Sequence, residues 1–168
     1  NYNKVTTLLL SNDTKNKTYY GFVKDTAGNA ATCQVTVKRD TEIPRCTITP
    51  TGTKGTNDWY KTDVAITLTT SDTTSDVLEY DLTTSSSVTY NKKTSLSLKS
   101  DTTGQKYYAY VKDKAGLTNK CEITVKRDTE APNCTITASG SKGKNNWFIG
   151  NVSLTLNSAI SRSMLCAE

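Results

Sequence analysis

The chain has 168 residues, with 21 Lys and Arg against 16 Asp and Glu, a net charge of +5, five Cys and no His. The lack of His removes the base of a Ser–His or Cys–His nucleophile pair and a common zinc ligand, and no apolar run approaches the roughly eighteen residues of a membrane helix. The surplus cations are scattered along the chain, which reads as a solvated surface and argues against a nucleic-acid footprint.

In chain order, the first informative segment is YNKVTTLLL at Tyr2–Leu10, because it returns as YNKKTSLSL at Tyr90–Leu98. CQVTVKRDTEIPRC at Cys33–Cys46 returns as CEITVKRDTEAPNC at Cys121–Cys134, and Trp59 returns as Trp147, each after 88 positions. Residues 19–60 lie over 107–148 with 25 identities in 42 positions and no gap. Self-similarity at a fixed period decides architecture before local signals do. It predicts the C-terminal half of a first repeat over 1–41, a complete repeat over 42–129, and the N-terminal part of a third over 130–168. After about Ser158 the correspondence stops, and AISRSMLCAE has no counterpart. The expectation is a fragment of a longer tandem array, whose opening in mid-repeat would show no signal peptide.

Within the complete repeat, alternation of period two predicts strands at 46–49, 64–70, 77–82, 88–90, 94–100, 106–113 and 119–128. Between them stand TGTKGTND, SDTTSD, TTGQ and DKAGLT, rich in the residues that turns require. Seven short strands arriving in tandem predict an all-β chain of immunoglobulin-like β-sandwich domains, about seven strands each. In the strand at 106–113, Tyr107, Ala109 and Val111 are expected to face inward, as are Tyr19, Gly21 and Val23 in the earlier copy.

Three pieces then carry a family resemblance: the linkers DTEIP and DTEAP, Trp59 and Trp147 before the second strand, and YGFVKDTAGN and YAYVKDKAGL at the sixth strand and its turn. Together they resemble the bacterial immunoglobulin-like repeats of cell-surface and adhesin proteins, over nearly all of residues 1–158. The resemblance implies an extracellular chain at a bacterial surface or secreted. One position departs from the pattern: the second turn ends in Leu117 where the first has Asn29.

The cysteines follow from strand geometry. A strand from Cys33 to Asp40 rises about 3.3 Å per residue, whereas a disulfide tolerates about 7 Å between α-carbons. Pro44 biases the linker toward extended backbone, so Cys33 and Cys46 are not expected to bond. In an immunoglobulin sandwich the first and last strands start at the same end of the domain, which pairs Cys46 with Cys121. Cys33 is then expected to belong with a cysteine before Asn1 and Cys134 with one beyond Glu168. Cys166 has no assignment. A metal reading is disfavoured, because the cysteines stand singly, with no CxxC and no His.

Other candidates are weighed the same way. Trp59 with Tyr60 is a possible binding aromatic pair for a glycan, but its return in each copy favours a place in the core. Asp72 and Asp76 on a loop are not a glycosidase pair, and GTKG and GSKG lack the strand–loop–helix context of a phosphate loop, so the chain is not expected to be an enzyme. The asparagine sequons read as chance, and no Lys–Asn isopeptide bond is expected. The immunoglobulin topology would instead gather Asp40, Glu42, Asp72, Asp76 and Asp113 at one domain junction. Hard oxygen ligands suit Ca²⁺, and similar-looking adhesin repeats stiffen their junctions with it. Turn capping and neutralisation by Lys38, Arg39 and Lys112 is the competing reading.

The function expected is a structural stalk whose partners are neighbouring repeats of the same chain. The alternatives are a module binding a host or cell-wall glycan or protein, or an accessory domain of a secreted enzyme. No nucleic-acid partner and no membrane span are expected.

Overall fold

The computed structural model describes Lys4 and residues 6–159 of the chain, and its regular elements are strands apart from one 3-10 turn at Lys144–Asn146. Strands β1 (Thr14–Lys24) and β2 (Ala30–Arg39) form an antiparallel pair. Strands β3 (Arg45–Thr51), β5 (Val64–Ser71) and β7 (Ser95–Leu98) form a three-stranded sheet in that order. A four-stranded sheet runs β4 (Trp59–Tyr60), β9 (Thr118–Arg127), β8 (Thr102–Asp113), β6 (Val77–Thr83). Strands β10 (Asn133–Ser139) and β11 (Ser153–Ala159) form a second antiparallel pair. The chain is thus all-β, with two multi-stranded sheets of the kind that make a β-sandwich. Strand starts keep the sequence spacing of 88: Thr14 and Thr102, Ala30 and Thr118, Arg45 and Asn133.

Local sequence accounts for these strands. In β5, Val64, Ile66 and Leu68 are buried while Ala65, Thr67 and Thr69 are exposed, the alternation a half-buried strand imposes. The turns after β1 and β8 place Gly28 at φ 98° and Gly116 at φ 94°, where a side chain would be strained.

The segment Val88–Tyr90 is not a strand, contrary to its apolar alternation. Side chains hold this stretch instead. Buried Asp81 accepts from the Thr89 hydroxyl (2.6 Å) and the Asn91 amide (3.1 Å), and the Tyr110 hydroxyl donates to the Ser86 carbonyl (2.6 Å). Outside the expected strands, Trp59–Tyr60 forms a short strand parallel to β9, paired with Lys126 and Arg127.

The described residues divide into two compact units, one of those up to 50 with 65–96 and 106–123, the other of 51–64, 97–105 and 124–159. In the first, Ile66, Leu68, Leu82, Tyr107, Ala109, Tyr110 and Val111 are buried. In the second, Tyr60, Val64, Leu98 and Val125 are buried. Tyr107, Ala109 and Val111 face inward as their spacing predicts, but Val23 on β1 is exposed.

Cys46 on β3 and Cys121 on β9 form a disulfide with α-carbons 6.1 Å apart, joining the three-stranded to the four-stranded sheet. The Asn119 amide donates to the Pro44 carbonyl at 2.8 Å, so the two strands start side by side even though they lie in different sheets. Cys33 and Cys134 are free and exposed, while Cys166 lies outside the described residues.

Candidate functional site

Two chain segments that join strand to strand, DTEIP and DTEAP, are held by the same set of bonds. In the first, Asp13 pairs with the Arg39 guanidinium and accepts from the Thr41 amide (3.1 Å) and hydroxyl (2.9 Å). In the second, Asp101 pairs with Arg127 at 2.5 Å and accepts from the Thr129 amide (3.2 Å) and hydroxyl (3.1 Å). Asp40 and Asp128 each cap the backbone two residues on, at Glu42 (3.1 Å) and Glu130 (3.0 Å). Arg127 also reaches Asp63 (2.7 Å) and the Thr62 carbonyl (3.1 Å). Partial desolvation pushes the Asp13 carboxyl up, but the Thr41 bonds and the Arg39 charge outweigh it and hold the group below the ordinary carboxylate value.

Of the five acids expected to gather, three do. Asp40, Asp72 and Asp113 each bring one carboxylate oxygen within 4.8 Å of the others. Asp72 Oδ1 accepts from the amides of Thr74 (3.0 Å), Ser75 (2.7 Å) and Asp76 (3.0 Å), which shapes the loop after β5. Asp40 and Asp113 each use Oδ1 for a turn amide, while Oδ2 of each is buried and lacks a protein partner. Glu42 instead accepts from the Thr73 hydroxyl at 2.7 Å. Asp76 pairs with Lys114 (3.0 Å) and Lys15 (3.1 Å), whose hydrogen bonds and charges lower its carboxyl from the ordinary value.

Two cations that the sequence offers as neutralisers are committed elsewhere, Arg39 to Asp13 and Lys112 to Glu79 (3.4 Å). Beside the cluster lies a groove of about 700 Å³, lined by Lys15, Lys38, Asp76 and Lys114 among others. A buried carboxylate oxygen without a partner is costly, and two of the three clustered acids carry one.

The Asn29-to-Leu117 difference accounts for one of them, Asp113 Oδ2. At the first turn, Asp25 accepts from the Asn29 backbone amide through Oδ1 and from the Asn29 side chain through Oδ2, both at 2.8 Å. At the second, Asp113 accepts from the Leu117 backbone amide (2.9 Å), and Leu117 has no side-chain donor for Oδ2. A single side chain thus decides whether the turn carboxylate is satisfied locally or left to something else.

Of the aromatic pair, Tyr60 is buried and Trp59 half-buried with Lys126 over its ring at 5.9 Å. The sequence reading missed Asp13 and Asp101. Their signal was present, an Asp-Thr pair repeated after 88 residues, but it reads as ordinary turn chemistry until the fold brings Arg39 and Arg127 to it. No family model, curated protein or solved structure matches this chain.

Proposed function

We propose that the chain is part of a structural stalk: tandem immunoglobulin-like repeats of the bacterial cell-surface type, exported to an oxidising compartment and acting as a spacer. The repeated clasp carries this reading. Each Asp–Arg–Thr set anchors the start of a linker, which would otherwise swivel, to the loop before the preceding strand pair, and a spacer needs stiff linkers where a binding module needs variable loops. The Cys46–Cys121 bridge adds a covalent limit to extension and fits an extracellular setting.

Pulling the full chain by its ends tests this. A bridge spanning a sequence separation of 75 shields that loop from force, so reduction should add about 250 Å to the extended length at up to 3.6 Å per residue. Equal extension before and after reduction would refute the mechanical reading. Specific glycan capture by the oxidised chain, lost on Trp59→Ala, would favour the binding module instead.

The buried oxygens support a second element of the reading: Asp40, Asp72 and Asp113 hold a divalent cation of the Ca²⁺ class at the first linker. Carboxylate oxygens within 4.8 Å of one another can share an ion at about 2.3–2.6 Å each, and its charge would meet Asp113 Oδ2. Adding millimolar Ca²⁺ should raise Tm over chelator-treated protein. Leu117→Asn, which restores the amide donor seen at Asn29, should abolish that rise while leaving the metal-free Tm unchanged or higher. A wild-type Tm indifferent to Ca²⁺ would sink this part and leave the stalk standing.

A further inference from the structure

The first linker and the segment that follows β8 are joined at both of their ends. At one end Asp40 and Asp113 bring carboxylate oxygens within 4.8 Å of each other and of Asp72. At the other, Cys46 and Cys121 are bonded, with α-carbons 6.1 Å apart. Between the two, the Asn119 side-chain amide donates to the carbonyl of buried Pro44 at 2.8 Å. All of these residues lie in the linker or in the complete repeat.

With an ion between the acids, the two segments close a ring. It runs from Asp40 to Cys46, across the bridge to Cys121, back to Asp113 and through the ion to Asp40. Seven residues on one side and nine on the other make a ring of 16 residues. Without the bridge, the same ion must hold together the ends of a 74-residue stretch from Asp40 to Asp113. The start of β3 leans on the bridge, because β3 is an outermost strand of its sheet and shares no ladder with β9 among the described residues. Residues 40–44 ahead of it have no regular structure.

We propose that the Cys46–Cys121 bridge controls the cation site: oxidation assembles the Asp40, Asp72 and Asp113 ligands, and reduction weakens their hold on Ca²⁺. The inference rests on the Ca²⁺ reading above and adds its regulation. The closure penalty grows as the three-halves power of loop length, so the ratio of 74 to 16 residues sets a ceiling of about tenfold on the affinity lost when reduction frees the start of β3. The Glu42–Thr73 and Thr41–Asp13 hydrogen bonds do not depend on the bridge and keep part of the linker in place, which brings the expected loss to about three- to tenfold. The reductant is a small dithiol. One of its thiolates attacks the bridge to form a mixed disulfide, and the second displaces the remaining protein sulfur, so the bridge becomes two protein thiols and the dithiol becomes a cyclic disulfide. The junction thus loads its ion more readily once the bridge has formed.

Calorimetric titration of Ca²⁺ into the full chain, first oxidised and then held in excess dithiothreitol, tests this, with circular dichroism reading the fold in each state. A dissociation constant about three- to tenfold larger for the reduced chain is expected. A smaller ratio overturns the coupling and leaves the Ca²⁺ reading standing, whereas no binding to the oxidised chain overturns both. Linkage requires Ca²⁺ to disfavour reduction by the same factor, which gives a second measurement should the reduced chain unfold. In a buffer of reduced and oxidised dithiothreitol, alkylation and peptide mapping read the reduced fraction of Cys46 and Cys121. Saturating Ca²⁺ should lower the ratio of reduced to bridged chain at least about threefold relative to chelator. Asp113→Asn, whose amide oxygen can still accept from Leu117, should abolish that effect. An unchanged ratio in the wild type, or an equal shift in Asp113→Asn, would overturn the proposal.

Discussion

Replacing Asp101 with Ala tests the clasp most directly. Arg127 is 8% exposed and shares its guanidinium among Asp101 (2.5 Å), Asp63 (2.7 Å) and the Thr62 carbonyl (3.1 Å). Its two acids are not equivalent: the Asp101 side chain is 14% exposed and that of Asp63 is 60% exposed, so water screens Asp63 far more. Asp101→Ala leaves the buried guanidinium with the screened partner alone and takes the acceptor from the Thr129 amide and hydroxyl. Breaking a buried pair costs about 3–5 kcal/mol, and the share retained by Asp63 and Thr62 reduces the expected loss to about 2–3 kcal/mol. In a domain of roughly 60–100 residues that lowers Tm by about 10–20 °C. Thermal unfolding of the full chain followed by circular dichroism reads this, with Asp63→Ala as the comparison, expected to cost under about 1 kcal/mol. Equal losses from the two variants would mean that Arg127 is solvated and the clasp does not hold the linker.

The bridge and the acid response give two further predictions. Cys46→Ser with Cys121→Ser should cost about 4 kcal/mol in the chain-entropy account of a loop this long, measured by urea unfolding, and a cost near zero would mean that packing already holds the two strand starts together. Asp13, Asp25 and Asp76 all have carboxyls lowered from 3.8. Their contribution to stability is therefore complete above that value and lost as pH falls through their lower folded-state values. Stability should be flat from neutral pH down to about 5 and fall below about 4, and a decline beginning near pH 6 would contradict it.

By itself the sequence determined the period and most of the strands of the complete repeat. Thr- and Val-rich alternation in VAITLTTS admits only a strand with Val64, Ile66 and Leu68 inward, and a turn with Gly at position 28 or 116 has little other use for that glycine. The Cys46–Cys121 pairing was legible too, because a rigid strand rules out the near neighbour and the sandwich topology supplies the far one. Val88–Tyr90 shows where the reading fails: its alternation is real, but buried Asp81 and the Tyr110 hydroxyl bond the segment from outside any ladder. Tertiary structure alone decided which acids meet. Asp40, Asp72 and Asp113 come from three separate segments, and Glu42 and Asp76 were drawn off by Thr73 and by two lysines that no local pattern points to. The same holds for Asp101, an ordinary turn residue in sequence. Its partner Arg127 lies 26 positions on, and burial of that guanidinium, which only packing sets, gives the pair its strength.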